Sequence, residues 1–306
     1  MGLLDRQAIG MEISHGGIAA VSVMQRAETA LLLRATRLPL PQECLSTDLK
    51  SPQVLLPAEF VRVAREAWGS LHLSSRQVAL SLPDSAGHLI ITTLAEPWKH
   101  RAEVLELLRW QLGKRLGISP EQLHLDVQLL EHHADGRSDL LVALTQRELI
   151  LQYEDLLQEA GLQPTRIGFH TPHLTNLFER FKAGTGQIVT WYDNALGVTA
   201  QTATRLVFCR VKQLSVGADQ PARLRHELTA SLAASRQACS ETASAASYLM
   251  APPDENTLEP LLSAATGSSP HRLRPEVLIQ QNPDLNLSAV QLFQVSAAVG
   301  AVLGGR

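Results

Sequence analysis

Several features that mark particular classes of protein are scarce in this sequence, and cysteine is the first. The 306 residues include three cysteines, Cys44, Cys209 and Cys239, and no two of them form a Cys-x-x-Cys pair. So few scattered thiols exclude a disulfide framework and give no zinc-ligand spacing. We interpret them as reduced structural residues of a cytoplasmic protein.

Long apolar runs and a surplus of basic residues are also lacking. No run reaches the roughly 18–20 apolar residues of a membrane span, and residues 1–6 lack the charged start and apolar middle of a secretion signal. The 27 Lys and Arg residues against 30 Asp and Glu give a net charge of −3, which excludes a broad basic surface. We expect a cytoplasmic protein with no nucleic-acid partner.

Common catalytic motifs are missing as well. The sequence has no Gly-x-x-x-x-Gly-Lys-Ser/Thr loop for phosphates, and no candidate serine sits in a Gly-x-Ser-x-Gly turn. His170 and His173 have the spacing of a metal-binding pair, but Pro172 between them favours the start of a helix. Residues 132–136 (HHADG) are typical of a polar hairpin turn. We predict no metal site and no catalytic residue.

The sequence does contain a repeated order of elements. With 45% hydrophobic and 19% charged residues, the chain can bury one large or two medium cores. Residues 8–38 predict three strands, followed by a helix from Pro57. Residues 187–211 again predict three strands, followed by a long helix from about Pro221. With a separate unit at residues 76–146 between them, the repetition predicts a two-lobed α/β fold.

Further helices are predicted from apolar residues at helical spacing. They span residues 101–116, 147–160, 172–181, 258–265 and 287–303. Gly117 follows the first of them and Gly161 the second, as is common where a helix ends.

Five segments, in one order and spread over most of the chain, carry a family resemblance. They are residues 78–83 (VALSLP), 123–130 (LHLDVQLL), 156–164 (LLQEAGLQP), 208–210 (FCR) and 216–219 (VGAD). Together they resemble the PilM family of type IV pilus assembly proteins, to which the cell-division protein FtsA and the cytoplasmic part of the type II secretion protein GspL are related. The Leu-Asp-Val-Gln strand and the later Glu-Ala-Gly-Leu-Gln-Pro are the most specific matches.

The resemblance implies an actin-like ATPase fold, a duplicated ribonuclease H-like architecture with a small αβ subdomain inserted into the first lobe. On this basis residues 1–75 and 147–185 form the first lobe. Residues 76–146 then form the inserted subdomain and residues 186–306 the second lobe. The insertion that family members carry in the second lobe is expected to be reduced, because residues 216–219 run almost directly into the long helix.

The resemblance also implies partners. Family members bind the short cytoplasmic tail of the inner-membrane protein PilN in a groove beside the insertion, and other inner-membrane components of pilus assembly are expected as partners. The protein would then be cytoplasmic and reach the inner membrane only through them. The predicted groove wall consists of five apolar residues on a strand and a helix: Val78, Leu80, Leu82, Leu105 and Leu108.

Nucleotide binding in the family relies on two strand-turn-strand loops, whose glycines let backbone N–H groups approach phosphate. Where the family has Asp-Ile-Gly, the first loop here reads EISHGG from Glu12 to Gly17. Glu12 keeps the charge, whereas Ser14 replaces a glycine. Gly16 and Gly17 still permit a tight turn, and His15 is either an anion contact or a solvated turn residue. The first loop is altered but not abolished.

The second loop departs further from the family pattern. The family's Asp-x-Gly falls on residues 190–192 (TWY), so that Thr190 lacks the charge for a magnesium shell. Tyr192 places an aromatic ring where phosphate needs backbone. Asp193 and Asn194 either supply the acid under a shifted alignment or form an ordinary turn pair.

The adenine side is also altered. The family's Gly-Gly falls near residues 251–253 (APP), and a reduced second-lobe insertion leaves adenine without an apolar cover. We therefore expect no cofactor, with ATP and magnesium bound weakly at most. The candidate nucleotide residues are Glu12, Ser14, His15, Gly16, Gly17, Asp193, Asn194 and Gly217.

The predicted function is a scaffold of type IV pilus assembly, a pseudo-ATPase that binds the tail of a PilN-like protein. The alternative is an active actin-like ATPase of the pilus or type II secretion machinery, in which Glu12 and Asp193 serve magnesium. A sugar-kinase-like enzyme would need a base Asp in the cleft and intact phosphate loops, and neither is evident. A secretion-type cytoplasmic domain would normally continue into a membrane span, which we do not expect here.

Overall fold

The computed structural model describes residues 6–25, 30–46, 53–95, 100–179 and 184–304. Fourteen strands lie within them: β1 (Arg6–Ser14), β2 (Gly17–Gln25), β3 (Ala30–Leu38), β4 (Gln77–Leu82), β5 (His88–Leu94), β6 (Leu123–His132), β7 (Ser138–Gln146), β8 (Gln163–Phe169), β9 (Gly186–Tyr192), β10 (Ala195–Gln201), β11 (Leu206–Gln213), β12 (Ala246–Met250), β13 (His271–Arg272) and β14 (Gln280–Gln281). The same residues form nine α-helices: α1 (Pro57–Gly69), α2 (Arg101–Leu116), α3 (Arg147–Glu159), α4 (His170–Glu179), α5 (Gln220–Ala238), α6 (Leu258–Thr266), α7 (Pro275–Leu278), α8 (Ala289–Gln294) and α9 (Ser296–Leu303). Short 3-10 helices lie at Asp84–Ala86, Pro120–Gln122 and Ser240–Ser244.

The first lobe is built on a sheet whose described strands follow the order β14-β3-β2-β1-β4-β8. β1, β2 and β3 form an antiparallel meander, and β4 and β8 extend it in parallel. Helices α1 and α3 pack on one face, where the rings of Phe60 and Tyr153 meet in a fully buried core. Helix α9 packs on the other face. Because β1 and β2 are buried on both faces, this sheet is the frame that holds the turn between them.

The second lobe repeats the pattern with the described strand order β11-β10-β9-β12-β13. β9, β10 and β11 form a second antiparallel meander, and β12 and β13 extend it in parallel. α5 packs on this sheet through Leu224, Leu228 and Leu232. Between β11 and β12 the chain forms only α5 and a 3-10 helix, as expected for a reduced second-lobe insertion. The repeated topology confirms the predicted two-lobed α/β architecture.

The insert consists of β5, α2, β6 and β7, which lie between the first and second halves of the first lobe. Its antiparallel sheet has the order β5-β7-β6 and is covered on one face by α2. α2 has the predicted bounds, and Val104, Leu108 and Leu112 face the sheet. Gly117 ends the helix at φ 68°, the left-handed region that glycine adopts without strain. The opposite face of the insert sheet is turned towards the first lobe.

Three predicted boundaries change in the structure. The predicted insert begins at residue 76, but β4 pairs with β1 and β8 in the first-lobe sheet, so the insert begins only after it. The predicted second lobe runs to residue 306, but β14 pairs with β3, and α8 and α9 pack on the first lobe. The helix predicted over residues 287–303 is divided at Val295 into α8 and α9. The predicted end of α4 at residue 181 lies outside the described residues.

Helix α9 is wedged between β1 and α4, and two glycines allow the close approach. A Cβ atom at Gly10 would lie 2.0 Å from the carbonyl oxygen of Ala298, and one at Gly300 would lie 2.0 Å from that of His173. Every residue of α9 is buried. Although α9 is apolar, neither it nor any other helix of the described chain is long and apolar enough to cross a membrane.

Candidate functional site

The first predicted phosphate loop is the tight turn between β1 and β2, where Ser14 pairs with Gly17. Gly17 has φ 149°, and a Cβ atom there would lie 2.3 Å from the carbonyl oxygen of Leu38. Only glycine fits this position. At Gly16, by contrast, a Cβ atom would meet only the Nη2 atom of Arg37, at 2.5 Å, and that flexible side chain can move aside.

The second predicted loop is the turn between β9 and β10. Tyr192 pairs with Ala195, and the two residues between them, Asp193 and Asn194, have φ of 48° and 61°. Both therefore lie in the left-handed region, as in a type I′ hairpin turn. Asn194 accepts a hydrogen bond from the side chain of Gln220 at 3.2 Å, which brings the start of α5, next to Gly217, to this turn.

The two turns contact each other directly, and together they form what we call the interlobe corner (residues 14–17 and 192–195). The backbone N–H of His15 donates to both carboxylate oxygens of Asp193, at 3.3 and 3.2 Å, and His15 Nδ1 lies 2.8 Å from Oδ2. The hydrogen bond to Asp193 raises the pKa of His15 above its ordinary value. Burial would raise the pKa of Asp193, but the hydrogen bond and charge of His15 outweigh it and lower that pKa. A hydrogen-bonded pair, which is an ion pair when His15 is protonated, thus joins the two lobes.

A second contact lies behind this pair. Tyr192 Oη donates to Glu12 Oε2 at 2.6 Å and lies 3.2 Å from the carbonyl oxygen of Gln294. The ring of Tyr192 packs against His170 and Phe293, with centroids 5.2 and 5.1 Å away. Burial raises the pKa of Glu12 to about 8, although Tyr192 acts to lower it. Glu12 is therefore largely protonated at neutral pH and is not a ready magnesium ligand in this arrangement.

Arg37 supplies a positive charge beside the corner. Glu12, Ala19 and Arg37 occupy neighbouring positions on β1, β2 and β3. The small Ala19 lies between Glu12 and Arg37, and the charge of Arg37 acts to lower the pKa of Glu12. Among the described residues, Arg37 Nε is buried without a hydrogen-bond partner, and so is Nε2 of both His15 and His170. The Arg37 Nε–H group is a donor that would suit an anion, whereas an imidazole Nε2 atom donates only when it carries a proton.

Both histidines of the sequence pair contact a serine hydroxyl group, and no further metal-ligating side chain of the described residues groups with them. Nδ1 of His170 and Nδ1 of His173 lie 2.9 and 2.8 Å from the hydroxyl oxygen of the buried Ser81. Burial lowers the pKa of His170 to about 4 and that of His173 to about 3, so both rings are neutral. His170 is the first residue of α4, so the helix begins two residues before the predicted start at Pro172.

One acidic residue of this region is not among the sequence candidates. Asp84 follows β4 and accepts hydrogen bonds from the backbone N–H of Thr171, at 3.1 and 3.2 Å, and from its hydroxyl group, at 2.9 Å. Burial raises the pKa of Asp84 to about 7. Its place after a parallel strand was the available signal, because side chains at such strand ends meet at one edge of a sheet. Here it fixes the first turn of α4.

The second concave region is a groove of about 1090 Å³ between the insert and the first lobe. One wall is the free face of the insert sheet, with Asp126, Gln128, Leu141 and Ala143. The other is formed by α3, β8, α4 and the end of α9. β6 and β8 are both edge strands of their sheets as described. The groove therefore combines apolar side chains with strand edges that can pair with an added peptide.

The five residues predicted for the groove wall do not line it. Val78, Leu80 and Leu82 are 0% exposed in β4, between β1 and β8, and Leu108 is 2% exposed under the insert sheet. Leu105 is half-buried on α2, on the other side of that sheet. Apolar residues of a strand and a helix that form a core are the ones that a partner cannot reach.

Comparisons with known proteins identify the fold. No protein-family model matches the sequence, and no curated protein gives a significant match. Among solved structures, the chain is similar to one described as the PilM-PilN type IV pilus biogenesis complex, with a TM-score of 0.80 and 18% identity over 98% of this chain and 97% of that one. It is also similar to the cytoplasmic domain of EpsL, an inner-membrane component of the Vibrio cholerae type II secretion system, with a TM-score of 0.53 and 13% identity over 95% and 94% of the chains. An actin-like ATPase-fold protein of unknown function from Bacteroides thetaiotaomicron gives a TM-score of 0.52 and 11% identity over 94% and 95%. The chain has the actin-like fold of PilM.

Proposed function

We propose that this protein is a cytoplasmic scaffold of a type IV pilus assembly machine, which binds the cytoplasmic tail of a PilN-like inner-membrane protein in the groove. The observation that carries the proposal is the open groove between β6 and β8, in a fold shared with the PilM of a PilM-PilN complex. An extended tail would pair with a strand edge and place alternate side chains against Leu141 and Ala143. The protein would reach the membrane, and other inner-membrane components of the machine, through this tail.

Binding of the tail is tested by calorimetry with a synthetic peptide of the cytoplasmic tail of the inner-membrane protein encoded next to this one. Ala143→Trp fills the groove and should weaken binding at least tenfold. The matched control is Ala102→Trp on the exposed side of α2, which should leave the affinity unchanged. Thermal melts establish that both variants are folded. Equal affinity of both variants and the wild type, or no binding to the wild type, would refute the proposal.

We propose further that the nucleotide site is degenerate and that the protein is not an ATPase. The support is the interlobe corner, where His15 holds Asp193, Tyr192 holds Glu12, and no acidic side chain is left without a partner. A nucleotide would have to break these hydrogen bonds. Each buried polar group that is left without a partner costs about 1–3 kcal/mol of free energy. Titration with Mg-ATP should show no binding in the micromolar range.

An active ATPase is the second candidate, because the buried Nε–H donor of Arg37 has no partner among the described residues. If micromolar Mg-ATP binding is observed and Asp193→Ala abolishes it, the ATPase is correct and the degenerate site is wrong. Binding that survives Asp193→Ala but is lost in Arg37→Ala would instead indicate a simple anion contact without magnesium.

A further inference from the structure

Among the described residues, the ion pairs between the insert and the second lobe are formed by one cationic side chain, that of Arg205. Arg205, in the turn before β11, has Nη1 2.8 Å from Asp139 Oδ2 and Nη2 2.9 Å from Glu131 Oε2. His133 Nε2 lies 3.0 Å from the same oxygen of Asp139. Thr93 of β5 donates to the other carboxylate oxygen at 2.7 Å. We call Arg205, Glu131, His133 and Asp139 the clasp.

The clasp is a structural contact and not a metal site. Glu131, His133 and Asp139 are near enough to hold a cation, but the guanidinium group of Arg205 already lies against both carboxylates and offsets part of their charge. The side chains of Asp139 and Arg205 are 14% and 28% exposed. The guanidinium fork of Arg205 reaches both carboxylates, through a hydrogen bond to Asp139 and a charge contact with Glu131 Oε2, which has no hydrogen-bond partner among the described residues. A partly buried contact of this kind is stronger than an exposed ion pair. The clasp therefore fixes the insert relative to the second lobe.

The clasp and the groove share one β-hairpin. Glu131 and Asp139 lie near the tip of the hairpin that β6 and β7 form. Gln128 on β6 and Leu141 on β7, only a few residues further along, face the groove. A paired hairpin moves largely as a unit, so a shift at its tip displaces the groove wall. The insert is in contact with the second lobe again where β5 packs beside β11.

We propose that the clasp sets the position of the insert and thereby controls the affinity of the groove, although Arg205 itself does not line the groove. The proposal rests on the proposed tail binding and names its regulation. With the clasp intact, the insert is held in place before the tail arrives. Without it, binding has to order the insert, and the affinity falls. Conversely, a bound tail restricts the second lobe through Arg205, because coupling between two sites is reciprocal.

The test compares Arg205→Gln with Arg210→Gln. Arg210 pairs with Glu227 at 3.0 Å within the second lobe and has a similar exposure, so it is a matched control. We expect Arg205→Gln to weaken tail binding by about tenfold and to speed amide hydrogen exchange in β6 and β7. Arg205→Lys keeps the charge but loses the fork and should be intermediate. Arg210→Gln should change neither measurement.

Hydrogen exchange tests whether the clasp holds the insert, and tail affinity tests whether the groove is coupled to the clasp. Unchanged exchange in Arg205→Gln would show that the clasp does not hold the insert, and faster exchange with unchanged affinity would show that the groove is not coupled to it. Either result overturns the proposal. If the wild type binds no tail, the proposed function fails and the regulation falls with it, while the exchange data still decide whether the clasp fixes the insert.

Discussion

The interlobe corner and the groove are both concave, but they differ in whether their hydrogen-bonding groups already have partners within the protein. In the corner, the side chains of one lobe satisfy those of the other: His15 with Asp193, and Tyr192 with Glu12. In the groove, two edge strands and a set of apolar side chains remain available. The difference indicates where a ligand gains most. A ligand in the groove adds contacts, whereas one in the corner must first replace contacts that the protein makes with itself.

This comparison predicts two separable classes of variant. Changes in the corner should lower stability and leave tail affinity intact. Changes confined to the groove should weaken tail binding and leave stability intact. The largest expected effect is that of Gly17→Ala. The combination of φ 149° and a 2.3 Å approach to Leu38 leaves no room for a methyl group, and we expect a loss of about 3 kcal/mol in the free energy of unfolding.

Gly16→Ala is the matched control for that experiment, because its new methyl group meets only the movable end of Arg37. It should cost less than about 1 kcal/mol. Urea denaturation of both variants and the wild type measures the two losses in the free energy of unfolding. Equal losses for the two variants would mean that the backbone of this turn is not as constrained as the structure shows.

The next largest effect is a pH dependence that belongs to Glu12. Its pKa is about 8 in the folded protein against an ordinary value of 4.5, so the folded state keeps a proton that the unfolded state loses. The contribution of Glu12 to the free energy of unfolding is therefore fully present below the pKa that Glu12 has in the unfolded chain. It is lost as the pH rises through the pKa that Glu12 has in the folded protein. Between pH 6 and pH 8 we expect a loss of roughly 2 kcal/mol in the wild type relative to Glu12→Gln.

Denaturation of both proteins at several pH values measures this loss. Asp84 and His15, whose pKa values are also raised, contribute in the same direction, but they are present in both proteins and cancel in the difference. Glu103→Gln, an exposed position on α2, is the control and should show no such difference. Parallel pH curves for the wild type and Glu12→Gln would contradict the buried, protonated Glu12.

The smallest effect is expected for His15→Ala, which removes the partner of Asp193 across the lobes. Because the pair is partly exposed, we expect a loss of about 1 kcal/mol near pH 6. The loss should shrink at higher pH, since the raised pKa of His15 means that its stabilisation disappears as the imidazole loses its proton. His226→Ala, on the exposed side of α5, is the control. A loss that is independent of pH would indicate that the charge of His15 is unimportant.

The sequence predicts local structure better than it predicts which parts meet. The bounds of α2 and the start of α1 at Pro57 follow from spacing and from proline, which are local signals. The sheet to which β4 belongs does not, since an apolar strand pattern is the same in either sheet. Helix α9 packs on the first lobe at Gly10. The two are almost the whole length of the sequence apart, so no local pattern predicts the contact.

The candidate site shows the same limit. Family resemblance places Glu12 and Asp193 near a nucleotide cleft, but only the structure shows that His15 and Asp193 hold each other across 178 positions. The predicted groove residues are apolar, and the most apolar ones, such as Leu80, are those that the core buries. Gln128, which faces the groove, belongs to the Leu-Asp-Val-Gln match to the family, but that match does not indicate which surface the side chain lines. Ala143 carries no distinctive sequence signal.

The wedge formed by α9 has a consequence for how such a protein can change over evolutionary time. Its eight residues extend over about 12 Å. Tyr192 touches the carbonyl of Gln294 just before its first turn, and Leu303 in its last turn borders the groove. Selection for a groove of constant shape therefore also preserves the packing around Tyr192. A lineage that no longer bound a nucleotide would therefore keep the shape of the nucleotide cleft, because α9 packs beside Tyr192 at one end and borders the groove at the other.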